Sequence, residues 1–141
     1  MTDLEPQEWD MSDFDYWFDG IVGTCRLIAD NDAFTRTWVL GDHSITSIHY
    51  YDALFEQLVS DLHLDESVQR FAGVLKRAGA LEAFLTFAQA LHKLDGQIEE
   101  SEELQNPSAL LRSQQWLDLQ LAAKRVIDLP VARSRIEPQC S

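Results

Sequence analysis

A chain of 141 residues that is 45% apolar is long enough to bury one core and too apolar to remain disordered, even with a formal charge of −13. That charge lies in one half, because residues 1–69 hold fifteen acidic and two basic side chains whereas residues 70–141 hold nine of each. Nucleic-acid phosphates and anionic membranes repel so acidic a surface, which excludes nucleic-acid binding, argues against membrane binding and favours a basic protein partner.

The sequence predicts neither a membrane span nor a secretory signal. No run approaches the roughly 20 apolar residues that cross a bilayer, and the first ten residues are acidic and lack an apolar stretch. The two cysteines, Cys25 and Cys140, set no disulfide framework, so we expect one buried thiol and one free terminal thiol. These features predict a cytoplasmic protein.

The first predicted helix covers 12–29. Apolar side chains recur there at helical spacing and form one stripe. Gly20 and Gly23 oppose a helix by up to about 1 kcal/mol each relative to alanine. They mark either a close approach of another helix or a kink.

A short helix is expected next, over 32–39. Asp30 or Asp32 supplies its cap, and Gly41 ends it. The stretch 41–50 gives the weakest prediction, since it fits either a short extended segment or the approach to the following helix.

Three further helices are predicted before residue 101. The first starts near Ser47 and carries a clear apolar stripe. The second is capped by Asp65 and stops at Gly79. The third covers 80–100, and its wide apolar arc predicts that it is the most buried helix of the fold.

The last predicted helix covers 107–128 and follows an acidic loop. Asn106 and Pro107 have the residue types typical of an N-cap and of the first helical position. Pro130 prevents the helix from continuing, because a proline has no N–H to donate.

Together these elements predict an all-α fold, a single-domain bundle of five to six helices over residues 1–130. Residues 131–141 are expected to form a flexible C-terminal tail. No pattern fixes the oligomeric state, although Phe87 and Leu94, on the shoulder of the widest apolar arc, are candidates for a contact between copies.

No motif in the sequence specifies a reaction. The Glu-x-x-His pairs of di-iron bundles, zinc-ligand spacings, a calcium loop and glycine-rich phosphate loops are all missing. Asp42 precedes His43 and His63 lies near Asp65, but nearness in sequence is poor support for a catalytic dyad. We therefore expect no catalytic residue, no metal, no cofactor and no enzymatic activity.

The acidic half supplies the candidate binding residues. Asp15 and Asp19 are four residues apart on the first predicted helix, and Asp52 and Glu56 repeat that spacing on a later helix. Like charges at this spacing repel by a few tenths of a kcal/mol, a cost that a cationic partner offsets. Helix capping and solubility explain the same charges without a partner. The predicted partner-binding residues are Asp13, Asp15, Tyr16, Asp19, Asp52 and Glu56.

The leading interpretation is a small binding protein that sequesters a basic protein, most concretely an immunity or antitoxin-type inhibitor of a bacterial toxin with a nuclease-like basic cleft. It requires both acidic helices to present their charges on the same side of the bundle. One alternative is a regulatory or scaffold protein that holds a partner helix in an apolar groove. Another is an enzyme of an unrecognised helical class, with Asp15 and Asp19 as paired carboxylates.

Overall fold

The computed structural model describes residues 11–132, and helices make up most of this range. Two π-helical segments, π1 (Thr35–Val39) and π2 (Gln57–Asp61), and a 3-10 turn (Glu103–Gln105) accompany the α-helices, and no strand forms in residues 11–132. The all-α class is therefore confirmed. Along the described chain the α-helices are α1 (Met11–Ala29), α2 (Tyr51–Glu56), α3 (Leu64–Arg70), α4 (Ala72–Arg77), α5 (Leu81–Glu100), α6 (Pro107–Leu111) and α7 (Gln114–Ile127).

The bundle is arranged around α1 and α5. On one side α7 packs against both of them, in the two most extensive helix contacts of the described chain. On the other side α2 and π2 lie between the same two helices. There Gln57 Nε2 donates to Thr24 Oγ1 of α1 at 3.0 Å, and Tyr51 Oη donates to Asp95 Oδ1 of α5 at 3.0 Å. Around α5, Asp95 is turned by about 140° from Ala90, which lies in the depression shared with α7, so α2 and α7 occupy opposite sides of the bundle.

An aromatic cluster fills the contact between α1 and α5. The ring of Phe84 lies 5.4 Å from that of Phe18 and 5.5 Å from that of Trp17, measured between centroids. All three side chains are buried. Cys25, about two turns after Phe18 in α1, is also fully buried, as expected. Because one helix face supplies this packing, the predicted stripe of α1 is confirmed.

The predicted helices 12–29 and 80–100 begin and end close to their predicted limits, but the number of helical segments exceeds the five to six expected. The prediction of one helix from Asp65 to Gly79 is wrong, since α3 and α4 are separate. Phe71 leaves helical geometry (φ −100°, ψ 18°) and turns its ring edge-on to Phe14 at 5.2 Å. Asp65 is not the cap, because His63 holds that position in the left-handed region (φ 48°).

The predicted helix 107–128 is also two helices. Ser113 interrupts it, and its hydroxyl accepts a hydrogen bond from the Trp116 backbone N–H at the start of α7. Asn106 is the N-cap of α6, as predicted, and accepts hydrogen bonds from the two backbone N–H groups of Ser108 and Ala109.

Other boundaries shift by a few residues. The helix expected from Ser47 begins at Tyr51, and the segment 41–50 forms turns and bends rather than an extended strand. The short helix predicted over 32–39 is a turn that leads into π1, and Asp30 rather than Asp32 caps it, since Asp30 Oδ1 accepts from the backbone N–H of Asp32 at 2.8 Å and of Ala33 at 3.2 Å.

Packing against the core continues to the last described residues. Ala132 is fully buried, two residues past the predicted end of the domain at 130, and residues 133–141 lie outside the described range together with Cys140 and residues 1–10. Phe87 and Leu94 are both buried in the core, so their proposed exposure for a contact between copies is wrong. The organisation as a single domain stays a prediction.

Glycines in the long helices give a stability prediction. Nothing lies within 4 Å of a Cβ placed on Gly23 in α1 or on Gly96 in α5, whereas a Cβ on Gly20 would lie 2.9 Å from Leu62 Cδ2. We expect Gly23→Ala and Gly96→Ala each to raise the free energy of unfolding by about 0.5–1 kcal/mol, because alanine loses less backbone entropy on folding. Gly20→Ala should gain less, since Leu62 must move.

Urea denaturation of the three variants measures these differences. An equal gain at all three positions would show that the close approach of Leu62 to Gly20 has no energetic consequence.

Candidate functional site

A surface cleft of about 470 Å³ separates α1 from π2. Tyr16 and Asp19 line it from α1, and Gln57 and Asp61 line it from π2. Tyr16 is 78% exposed, so its ring stands at the edge of the cleft. This acidic cleft brings two of the predicted residues together with Asp61, a carboxylate that the i, i+4 pattern did not single out.

The remaining acidic residues of α1 do not share one face. Asp13 and Asp15 are two positions apart, which separates them by about 200° around a helix. Asp13 Oδ2 lies 4.0 Å from Nη2 of Arg70 in α3, so part of its charge is met by a cation of the same chain. Asp15 is half-buried on the other shoulder of the helix and shares a face with Asp19, as their spacing requires.

Asp52 and Glu56 lie outside the acidic cleft. Gln57 donates a hydrogen bond to α1, and Glu56, one position earlier, is turned by about 100° from Gln57 and is exposed. Asp52 lines a second pocket near the start of α2. The two predicted acidic faces are therefore on neighbouring segments, but they open onto different depressions.

The second depression is an aromatic pocket of about 440 Å³, formed where α2 begins and α5 ends. Trp38, Tyr50 and Tyr51 line it with aromatic rings, and Asp52 and Glu99 line it with carboxylates. The 3-10 turn completes the lining with Leu104 and the polar Gln105, and α6 adds Pro107 and Leu110.

Contacts with neighbouring residues fix the positions of two rings of the aromatic pocket, those of Trp38 and Tyr51. Nε1 of Trp38 donates to the Ile48 carbonyl at 3.0 Å, and the same ring stacks on Phe34 with centroids 4.4 Å apart. The Tyr51 ring stands edge-on to Trp38 at 6.4 Å. Tyr50, by contrast, is 60% exposed at the rim.

The potential in the aromatic pocket is negative. Burial raises the pKa of Tyr51 well above its usual value of 10.0, and the carboxylates of Asp95, Asp52 and Glu99 raise it further. No cationic side chain opposes this effect among the groups that act on Tyr51. A cationic group entering the pocket therefore meets the carboxylates of Asp52 and Glu99, and no lysine or arginine of residues 11–132 lines the pocket.

Two histidines pair with each other beside this pocket. The rings of His43 and His49 lie 4.0 Å apart and 8° from parallel, and His49 also lines the pocket. Asp42 forms no dyad with His43, because its Oδ1 accepts from the backbone N–H and the hydroxyl of Ser44. These hydrogen bonds, with a smaller contribution from Arg36, lower the pKa of Asp42.

The structure contains an Asp–His pair that sequence proximity missed. His92 Nε2 lies 2.7 Å from Asp65 Oδ2, although the two residues are on α5 and α3, whereas His63 pairs with Glu66 at 3.1 Å. No local signal connects residues that are 27 positions apart. The pair is half-exposed on both sides and sits beside the ring of Phe55.

A third depression, of about 360 Å³, lies between α5 and α7 on the opposite side from α2. Ala90, Leu121 and Ala122 give it an apolar lining, and Leu121 is 52% exposed. Lys93, Asp118 and Arg125 are its charged lining residues. This depression is called the α5–α7 groove below.

Within residues 11–132 no group of three or more His, Cys, Asp and Glu side chains is arranged to hold a metal ion. None of the helices in that range combines the length and apolarity needed to cross a bilayer. No protein-family model, curated protein or solved structure matches the chain. Its class is defined by its fold and surface: an all-α protein with an acidic cleft and an electronegative aromatic pocket.

Proposed function

We propose that the protein binds and sequesters a basic protein through the side of the bundle formed by α1, α2 and π2. The observation that carries this proposal is the distribution of charge around the bundle. Asp19 and Asp61 line the acidic cleft, and Glu56, the residue before Gln57 of that cleft, is exposed. At the opposite groove the two cations Lys93 and Arg125 outnumber the single carboxylate, Asp118. This difference in charge between the two sides orients a basic surface as it approaches.

The most concrete form of this function is an immunity or antitoxin-type inhibitor of a bacterial toxin. A toxin that cuts nucleic acids needs a basic cleft for phosphates, and an acidic protein blocks such a cleft directly. Electrostatic steering raises association rates by about 10- to 1,000-fold, which suits an inhibitor that must act quickly. A bacterial source and a cytoplasmic location belong to this proposal.

Capture of a partner helix is a second candidate function, and the α5–α7 groove favours it. Exposed Leu121 and the small side chains of Ala90 and Ala122 offer an apolar surface to an amphipathic helix. Leu121→Ser separates the two functions, because it removes apolar surface from the groove and leaves the acidic cleft unchanged.

We propose no enzymatic reaction. His49 and Asp52 both line the aromatic pocket, but no hydrogen bond joins them in the described chain. His92 and Asp65 are bonded, yet neither bonds a hydroxyl or thiol there that could serve as a nucleophile.

Removing acidic charge from the proposed binding side is expected to slow association with a basic partner by about 10-fold at low ionic strength. The physical reason is that these carboxylates steer the encounter, so the dissociation rate should change less. The partner is first captured from a lysate of the source organism and identified, and association is then followed by stopped flow at low and high salt. The variant replaces four carboxylates by amides: Asp15→Asn, Asp19→Asn, Asp52→Asn and Glu56→Gln.

A matched control removes the same charge from exposed positions of the second half of the chain. It should slow association less than about 3-fold, because its carboxylates lie away from the proposed binding side. If both variants slow association equally, only net charge matters and the proposed binding side is wrong. A captured partner that is not basic also contradicts the proposal. The control carries Glu82→Gln, Glu102→Gln, Glu103→Gln and Asp128→Asn.

A further inference from the structure

We propose that the aromatic pocket binds the guanidinium group of an arginine side chain supplied by a protein partner. The inference rests on the proposed function for the source of the arginine, but the site itself is defined by its own chemistry. Trp38, Tyr50 and Tyr51 supply aromatic rings to its lining, and Asp52 and Glu99 supply carboxylates. A volume of about 440 Å³ lies within the range of about 300–1,000 Å³ typical of small-ligand sites.

Guanidinium is the cation that uses both parts of this pocket. Its flat face stacks on aromatic rings, and its fork of N–H donors binds a carboxylate in a bidentate manner. A lysine ammonium is a more strongly hydrated point charge and makes less use of the rings. His49, Asp52 and Glu99 are not arranged to hold a metal ion in the described chain, and the aromatic rings favour an organic cation.

Of the two pocket carboxylates, Glu99 should be stabilised more than Asp52 by a bound cation. It lies in the last turn of α5, where the helix dipole is negative and no basic residue compensates. Asp52 lies in the first turn of α2, where the dipole already stabilises a negative charge. Binding energy should therefore depend more on Glu99 than on Asp52.

Tyr50 lies at the rim of the pocket in a position where it lowers the stability of the start of α2. It occupies the N-cap position of α2 and makes no side-chain cap hydrogen bond, although Ser, Thr, Asp or Asn would do so. An exposed aromatic residue at a position that favours a small polar one marks a conflict between local stability and another role. Contact with a partner side chain supplies that role, since tyrosine is enriched at binding hot spots.

The test uses three short peptides, acetyl-Gly-X-Gly-amide with X as arginine, lysine or citrulline, titrated into the full chain and followed by NMR. The arginine peptide is expected to shift the signals of the pocket residues saturably, with the lysine peptide at least about 5-fold weaker and the citrulline peptide without effect. Absence of saturable shifts with arginine, or equal binding of lysine, overturns the proposal.

Two neighbouring glutamates provide a matched pair of variants. Glu99→Gln should weaken arginine binding at least about 10-fold, and Glu100→Gln should leave it within about 2-fold, because Glu100 lies outside the aromatic pocket. Both changes relieve the same unfavourable interaction with the α5 dipole, so thermal unfolding of both variants should be unchanged or slightly improved. If the two variants weaken arginine binding equally, the effect comes from the overall negative charge and the proposed site is wrong.

The outcomes for this site and for the proposed function are separable. If the arginine peptide fails to bind while a basic protein is captured through the acidic side, the site is wrong and the proposed function stands. If the peptide binds and no basic protein is retained, the site stands and the proposed function is wrong.

Discussion

Phe84→Ala is expected to lower the free energy of unfolding by about 3–5 kcal/mol. Phe84 is fully buried in α5, with its ring 5.4 Å from that of Phe18 and 5.5 Å from that of Trp17. Its removal leaves a cavity bounded by large rings on another helix, which cannot close without moving α1. A loss of this size is a large fraction of the 5–15 kcal/mol typical of whole domains. Urea denaturation followed by circular dichroism measures it.

Leu85, the next residue, is the matched control. Its side chain is 43% exposed, so Leu85→Ala should cost less than about 1 kcal/mol. If Phe84→Ala does not fold, Phe84→Leu keeps part of the volume and should cost about 1–2 kcal/mol. A cost at Leu85 equal to that at Phe84 would mean that the core does not lie between α1 and α5.

Apolar periodicity in the sequence was sufficient to predict the two long helices α1 and α5. Each has one continuous buried stripe over about twenty residues, and a helical period is most reliable over such lengths. The same pattern did not predict the break at Phe71, because α3 and α4 both bury an apolar face and the apolar spacing continues across the break. At Ser113 a signal was present, since serine is a favoured N-cap, but the apolar stripe continued across it.

The π-helical segments have no counterpart in the sequence pattern. The Leu62 N–H bonds the Gln57 carbonyl at 2.9 Å and the Leu40 N–H bonds the Thr35 carbonyl at 3.1 Å, in each case five residues back. Such a wider turn depends on tertiary packing rather than on local propensity. The packing of π2 against α1 places Asp61 in the acidic cleft, and this is why spacing along a regular helix did not select it.

The aromatic pocket could not be predicted from the sequence either. Trp38, Tyr50 and Glu99 come from three segments that only the fold brings together. Charge asymmetry directed attention to the first half of the chain and so found Asp52 but not Glu99, which lies in the electrically neutral half. Net charge by half is therefore a guide to the field around the bundle and a poor guide to the residues of one pocket.

The free energy of unfolding is expected to fall above pH 9, with a slope that approaches about 1.4 kcal/mol per pH unit near pH 10. Cys25 is fully buried, and burial raises the pKa of its thiol above the ordinary value of 9.0. In the unfolded chain the thiol ionises near pH 9, while the folded chain keeps its proton. The folded state then binds more protons, so stability that is complete below pH 9 is lost as the pH rises.

Tyr51 extends the same effect to higher pH. Burial, followed by the charge of Asp95 and its hydrogen bond with the Tyr51 hydroxyl, raises the pKa of Tyr51 above 10.0, so the slope should increase beyond pH 10. Because Tyr51 is only partly buried, its share is at most equal to that of Cys25, which gives a combined loss of about 3–4 kcal/mol by pH 11. Urea denaturation between pH 8 and pH 11, with a reductant present, measures the profile.

Two variants separate the two groups. Cys25→Ala should remove the loss that begins at pH 9, and Tyr51→Phe should remove only the increase beyond pH 10. Cys25→Ala also lowers stability at every pH by a constant amount, because it leaves a small cavity in α1's buried face, so the slope and not the absolute value is the readout. A Cys25→Ala profile parallel to that of the unmodified protein would mean that the thiol ionises equally easily in the folded and unfolded chains, which is incompatible with its complete burial.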